Sequence, residues 1–143
     1  MMILFVSGCG GSSSSGSSGS YREEEQKEGT DMRIMIDGVN IPVEWEDNES
    51  VNALKGSLPL TVNMHMYGGF EQVGSLGRTF PRKDSRITTS AGDIVLYSGN
   101  QIVIFYGSNT WAYTRLGKII GKSDSELEAL LGKSDVTLTI DAE

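Results

Sequence analysis

Cysteine and histidine are almost absent from this 143-residue chain, which has one of each, Cys9 and His65. A single cysteine excludes an intrachain disulfide, and the two residues together cannot supply the His/Cys cluster of a zinc site. No metal centre is therefore expected. Basic residues are also scarce: Lys and Arg number 12 against 19 Asp and Glu, giving a formal net charge of −7. Affinity for phosphate backbones comes mainly from clustered Lys and Arg, so no nucleic-acid partner is expected. A run of about 18 apolar residues, the length a spanning helix needs, occurs nowhere. The chain also lacks a Gly-rich phosphate loop, a nucleophile elbow and a metal triad, so no cofactor is expected.

What is present fits one soluble globular domain. Apolar residues make up 38% and charged residues 22%, and the length leaves no room for a second core. Many of the 18 glycines fall before the domain begins. Residues 10–20 are Gly and Ser alone, a composition that behaves as flexible coil and cannot bury a core. Residues 21–29 carry four Glu beside Arg22 and Lys27 and are equally poor in core-forming side chains.

Ahead of that tract, an apolar hexapeptide ending at Val6 is followed by Ser7, Gly8 and Cys9. The order Val6-Ser7-Gly8-Cys9 resembles the lipobox of bacterial lipoproteins, in which the cysteine receives the lipid and becomes the new N-terminus. A complete signal peptide has a basic start and an apolar region of roughly 7–15 residues, and this segment has neither. Two readings follow. Either residues 1–8 are the remnant of a longer signal peptide, or the hexapeptide is chance and the protein is cytoplasmic. The polar tract favours the first, because a tether is what a lipid-anchored domain needs. The expected organisation is thus a signal-peptide remnant (1–8), a flexible tether (9–30) and a folded domain (31–143). The membrane is the expected partner through lipidated Cys9, on the extracytoplasmic face.

From Asp31 onward the pattern is that of strands. Met32, Ile34 and Ile36 alternate with Arg33, Met35 and Asp37, and Asp37-Gly38 supplies a hairpin turn. Val39, Ile41, Val43 and Trp45 resume the alternation, with Pro42 marking an edge or bulged position. Asp47 or Asn48 caps a helix whose apolar stripe is Val51, Leu54 and Leu58, stopped by Pro59. Leu60 to Tyr67 alternates again. Gly68 to Ala91 reads as irregular, because Gly68-Gly69, Gly74, Gly77 and Pro81 interrupt it. Ile94 to Tyr97 and Ile102 to Tyr106 form a hairpin buried on both faces, and Trp111 to Ile120 forms another strand. Ser123 and Glu126 make a capping box for a helix bearing Leu127, Leu130 and Leu131, with Gly132 at its end. Val136, Leu138 and Ile140 mark a final strand. The fold class is mostly β, a closed antiparallel barrel with two short helices.

Four stretches in this order resemble the bacterial cyclophilin-like domain family: Trp45–Asn48 with Leu58–Leu60, Gly92–Tyr97, Ile104–Gly107 and Leu116–Ile119. The resemblance spans essentially Asp31 to Asp141 and implies a cyclophilin-type β-barrel. True cyclophilins are prolyl isomerases, in which an arginine donates to the prolyl amide nitrogen and a Phe-lined pocket holds the ring. Their Phe-His-Arg step, followed by Phe and Gln, is matched here by Met64-His65-Met66, then Phe70 and Gln72. Met66 stands where the arginine is expected, and the spacing to Gln72 is one residue short. A thioether donates no hydrogen bond, so the resemblance implies the pocket without its principal catalytic group.

The candidate ligand-binding residues are therefore His65, Met66, Phe70, Gln72, Phe105, Trp111, Tyr113 and Arg115. Each has a plainer reading. His65 has no paired nucleophile and suits a solvent-facing position, while Phe105 suits the core. Arg78, Arg82, Lys83 and Arg86 form a basic loop that is either solvated or a contact for anionic headgroups. Two functions stay open: a domain binding a small molecule or peptide at an aromatic pocket, or a peptidyl-prolyl isomerase. An Arg115 or Arg78 side chain directed at Phe70 would favour the isomerase. The leader carries its own test. Protein expressed from its native locus is expected to take up a fatty-acid analogue through Cys9, and label persisting in Cys9→Ala refutes the anchor.

Overall fold

The computed structural model of the chain describes residues 32–143; Cys9, the lipobox and the tether lie outside the described residues. Strands β1 (Met32–Ile36) and β2 (Val39–Ile41) form the first hairpin. Asp37 and Gly38 turn it with φ of 50° and 82°, as the tight Asp-Gly turn requires. Pro42 breaks the following strand into β2 and β3 (Val43–Trp45), since proline has no N–H to give a ladder. The two halves take different partners: β2 pairs with β1, and β3 pairs with β9 (Thr110–Ile119).

Helix α1 (Glu49–Lys55) starts at Asn48, whose side chain accepts from the Val51 N–H at 2.9 Å. It ends at Gly56, one turn sooner than the Val51-Leu54-Leu58 spacing suggests. Leu58 packs on the core from the loop instead. Strand β4 (Leu60–Tyr67) follows. The stretch expected to be irregular in fact contains β5 (Glu71–Ser75), a central strand, and β6 (Ser85–Thr88). β5 escapes its sequence pattern because Gly74 is a packing requirement. A Cβ there would lie 2.4 Å from Val62 Cγ1 and 3.1 Å from the Asn63 carbonyl. β7 (Asp93–Tyr97) and β8 (Gln101–Phe105) form the second hairpin. Helix α2 (Asp124–Leu131) has both halves of its capping box, Ser123 N–H to Glu126 Oε1 at 2.8 Å and Glu126 N–H to Ser123 Oγ at 3.2 Å. β10 (Asp135–Ala142) closes the described chain.

All ten strands of the described residues belong to one antiparallel sheet, in the order β2-β1-β10-β4-β5-β8-β7-β9-β3, with β6 attached to β9 alone. Its first and last members are the two halves of one strand about Pro42, so the sheet curls round on itself into the expected barrel. Its interior is filled by alternate residues of the strands, among them Ile34, Met64, Ile94, Ile104, Leu138 and Ile140, all essentially inaccessible. Val51 and Leu54 of α1 and Leu127 and Leu131 of α2 join the same core. No described helix is long and apolar enough to cross a membrane.

A second apolar cluster, Val95, Val103, Phe105 and Tyr113, lies apart from the first. It occupies the opposite face of β7 and β8, because successive strand side chains point to opposite sides. β9 reaches both faces. A bulge shifts its register against β7 between Arg115 and Gly117, and beyond Thr114 its first residues, Thr110 to Tyr113, pair with β6. Because Gly74 sits where β4 and β5 press together, Gly74→Ala is expected to overpack the interior. The expected loss is about 1–3 kcal/mol of unfolding free energy, read by urea denaturation, and an unchanged midpoint would refute the packing argument.

Candidate functional site

The outer face of the barrel is where side chains of distant segments converge. β5 pairs Glu71 with Phe105 of β8 and with Tyr67 of β4, and pairs Val73 with Val103 and His65. Paired residues in a sheet share a face, so Tyr67, Glu71 and Phe105 form one outward row and His65, Val73 and Val103 the next. Five rings run across this face in contact: Tyr67 meets Phe70 edge-on (6.3 Å, 84°), and Phe70 lies parallel to Phe105 (6.4 Å, 5°). Phe105 then meets Tyr113 (5.6 Å, 70°), and Tyr113 meets Tyr97 (6.0 Å, 63°). Offset and edge-to-face pairs of this kind add about 0.5–1.5 kcal/mol each beyond the area they bury.

Above them is an open groove of about 850 Å³. Tyr67, Phe70, Tyr97, Trp111 and Tyr113 line its walls, with Val73 and Val103 at the base and Gln101 and Asn109 as its neutral polar groups. Trp111 stands half-exposed at one wall, carried there by the half of β9 that pairs with β6. The Asn109 amide donates to the Tyr113 hydroxyl at 2.9 Å and orients that ring. Phe70 is held by backbone: its carbonyl accepts from the Tyr106 and Gly107 N–H groups at 2.9 and 3.0 Å. Its ring lies where only glycine can precede it. A Cβ on Gly68, whose φ is +66°, would come within 2.2 Å of Phe70 Cε2, and one on Gly107 within 2.8 Å of Phe70 Cβ.

One ionisable acid enters this apolar surface. Glu71 is 6% exposed and lines the groove. Among the described residues its carboxylate has no hydrogen-bond partner and no counter-ion, and burial pushes its pKa from 4.5 up to about 7. Across the groove, burial also pushes the Tyr113 hydroxyl upward, and Glu71 adds repulsion to it. No Lys, Arg or His is among the groove-lining residues. The site is thus an aromatic trough with a single unpaired carboxylate at its floor.

The residues expected from sequence are divided by this geometry. Phe70, Trp111 and Tyr113 line the groove, and Phe105 lies beneath it, wholly buried. The other four lie elsewhere. Met66 pairs with Gln72 on the row opposite the groove and, near the end of β4, is itself exposed, so the outward position is His65. His65 is itself directed to the rim, where its Nδ1 pairs with Asp135 Oδ1 at 2.7 Å in solvent. Gln72 is fully buried on the inner face, its amide donating to the Leu131 and Lys133 carbonyls at 2.8 and 2.7 Å. It fastens the end of α2 to β5. The one-residue discrepancy in Gln spacing is decisive here, since a shift of one residue exchanges the two faces of a strand.

Arg115 donates to Asp93 Oδ2 at 3.2 Å, and Lys118 to Oδ1 at 3.1 Å. Burial of Asp93 opposes its ionisation, but the Ser90 N–H and these two cations outweigh it and lower its pKa. Arg78 reaches Ser57 Oγ at 3.2 Å. Neither arginine is directed at Phe70. Of the basic loop, Arg82 and Lys83 line a separate hollow of about 300 Å³ together with Arg115. Glu71, Tyr67 and Tyr97 were not among the expected site residues. Only the assignment of β5 as a strand, with Glu71 and Val73 on one face, would have pointed to the first. No described cluster of His, Cys, Asp and Glu is arranged to hold a metal ion.

A family model described as the cyclophilin-like family matches residues 34–141. No curated protein matches the chain. Among solved structures, the solution structure of a hypothetical protein from Archaeoglobus fulgidus is similar, with a TM-score of 0.58 and 16% identity. That likeness covers 78% of this chain and 93% of the other, and at such identity it concerns the fold alone.

The carboxylate at the groove floor gives the protein a pH signature. In the unfolded chain Glu71 ionises near its ordinary value of 4.5, but in the fold only near 7. Stability therefore falls as pH rises between these values and is lowest above the upper one. Glu71→Gln removes the charge at constant shape. It is expected to match the parent near pH 4 and to exceed it near pH 8 by about 1–3 kcal/mol, allowing for solvent in the open groove. Urea denaturation at the two pH values reads the difference, and equal stability at both would contradict the assigned burial.

Proposed function

The chain belongs to the cyclophilin-like family, and from that premise we propose that its barrel is a binding domain. Its ligand is a small molecule or peptide seated in the aromatic groove, and its address is a membrane surface, reached through lipid on Cys9. The observation that carries the binding reading is the groove itself. Its volume of about 850 Å³ falls in the range of sites that enclose drug-sized ligands, roughly 300–1,000 Å³. Its walls are aromatic and its polar groups few, the usual balance of apolar contact and orienting contacts. Half-exposed Trp111 and exposed Tyr67 are surfaces that a ligand would cover at little cost in side-chain entropy.

The isomerase reading lacks its donor. Lowering the barrier to prolyl rotation needs a group that binds the twisted amide better than the planar one. Among the described residues no arginine lines the groove, and Met66 turns to the other face. An aromatic trough can hold a proline ring without accelerating its rotation, because binding both states equally adds no rate. In place of the arginine, the groove presents an acid.

Two outcomes test the proposal. Fragment titration followed by amide chemical shifts is expected to perturb Phe70, Trp111 and Tyr113 together, and Trp111→Ala is expected to weaken binding by about tenfold or more. Shifts that cluster away from the groove would refute the site. On a proline peptide, a protease-coupled assay is expected to show no useful catalysis. An efficiency near the roughly 10⁴–10⁸ M⁻¹s⁻¹ usual for enzymes would restore the isomerase.

A further inference from the structure

We infer that the groove selects a ligand bearing a protonated amine, which pairs with Glu71 while its apolar body lies against Phe70 and Trp111. The inference rests on the binding reading above and deepens it by naming the chemistry recognised.

The argument begins from an imbalance. Charged groups are almost never fully buried unless paired, because an unpaired buried charge loses its hydration without compensation. Glu71 is 6% exposed, and among the described residues nothing donates to its carboxylate, whose oxygens keep only a trace of solvent contact through the groove. The other buried acid, Asp93, shows how this chain treats a carboxylate whose purpose is structural: a backbone N–H and two cations hold it. Glu71 has none of these, and it opens on the groove. Its missing partner is therefore one that arrives with the ligand.

The chemistry of that partner follows from the surroundings. A carboxylate accepts hydrogen bonds and attracts positive charge. The rings of Tyr67, Phe70, Trp111 and Tyr113 present π-faces and edges around it, and a cation is attracted to the faces of such rings, Trp most strongly. A protonated amine satisfies both, whereas an anion meets only repulsion. The net charge of −7 adds a field that concentrates cations near the surface. No resident cation among the groove-lining residues competes for the position.

The test uses the full chain and three aromatic probes of one shape: 2-phenylethylamine, 2-phenylethanol and phenylacetate. Binding is read from amide shifts of groove residues and from Trp111 fluorescence, in a Trp45→Phe background. Near pH 8, where Glu71 is ionised, the amine is expected to bind at least about tenfold more tightly than the alcohol, and phenylacetate more weakly than either. Glu71→Gln is expected to bring amine and alcohol to within about twofold. Lowering the pH to about 5 is expected to weaken amine binding in the parent and not in Glu71→Gln. The other ionisable groups on this face are His65 and Tyr67 on β4, Tyr97 on β7 and Tyr113 on β9, and the Glu71→Gln arm carries all four unchanged, so it separates their effect from that of Glu71.

Amine and alcohol binding the parent equally would overturn the inference and leave the groove a binding site. A preference for amine that survives Glu71→Gln would overturn it as well. If none of the three moves a groove resonance, the inference and the binding reading both fail.

Discussion

The β7–β8 hairpin is apolar on both faces, and the rest of the molecule is arranged to cover it twice. On one side Ile94, Leu96, Ile102 and Ile104 need a core. Curling the sheet supplies that, and α1 and α2 contribute their leucines to the same interior. On the other side Val95, Val103 and Phe105 need shelter from water that no second sheet provides. Shelter comes from Tyr113 on the departing half of β9, from Ile87 on β6, and from Phe70 on the turn after β4. At about 25 cal/mol per Å² of apolar surface removed from water, neither cover is dispensable. The groove lies where the second cover is incomplete, between the Phe70 turn and the β9 arm.

The proposed binding function needs a site that the fold does not itself fill. A trough lined only with aromatic residues would be apolar surface awaiting any greasy partner. Glu71 changes that by being costly. With its pKa pushed up to about 7 by burial, its carboxylate is expected to weaken the free protein above neutral pH, and selection for stability alone would favour an amide or an aliphatic side chain there. A residue that lowers stability and sits at the floor of an open groove is most simply understood through what it binds.

How far the sequence could be read depended on how many faces each segment buries. Met32–Ile36 and Asp135–Ala142 bury one face, so they alternate visibly, and Ile94 to Tyr97 buries both, so it reads as a run. β5 buries both faces too, but with Glu71, Gln72 and Gly74 rather than aliphatic residues, and no periodic signal survives. Each of those residues answers to a partner from elsewhere: the groove, the end of α2, and Val62. Among site residues, Phe70, Trp111 and Tyr113 were legible as large rings beside turns. Met66 and Gln72, candidates through the family match alone, share the face opposite the groove, because such a match counts residues, whereas a strand counts them modulo two. Leu58 fitted a helical stripe, but Gly56 ended the helix first.

The adjacency of Glu71 and Gln72 has a consequence for how the chain can vary. They are neighbours in sequence with opposite duties, one facing the groove and the other bound to the Leu131 and Lys133 carbonyls inside. Inserting or deleting a single residue in the Gly68–Phe70 turn would exchange them, driving an acid into the barrel and leaving α2 untied. The turn is therefore closed to length change. Lineages descending from this barrel should keep the count between Tyr67 and Gln72 even where they abandon the residues themselves.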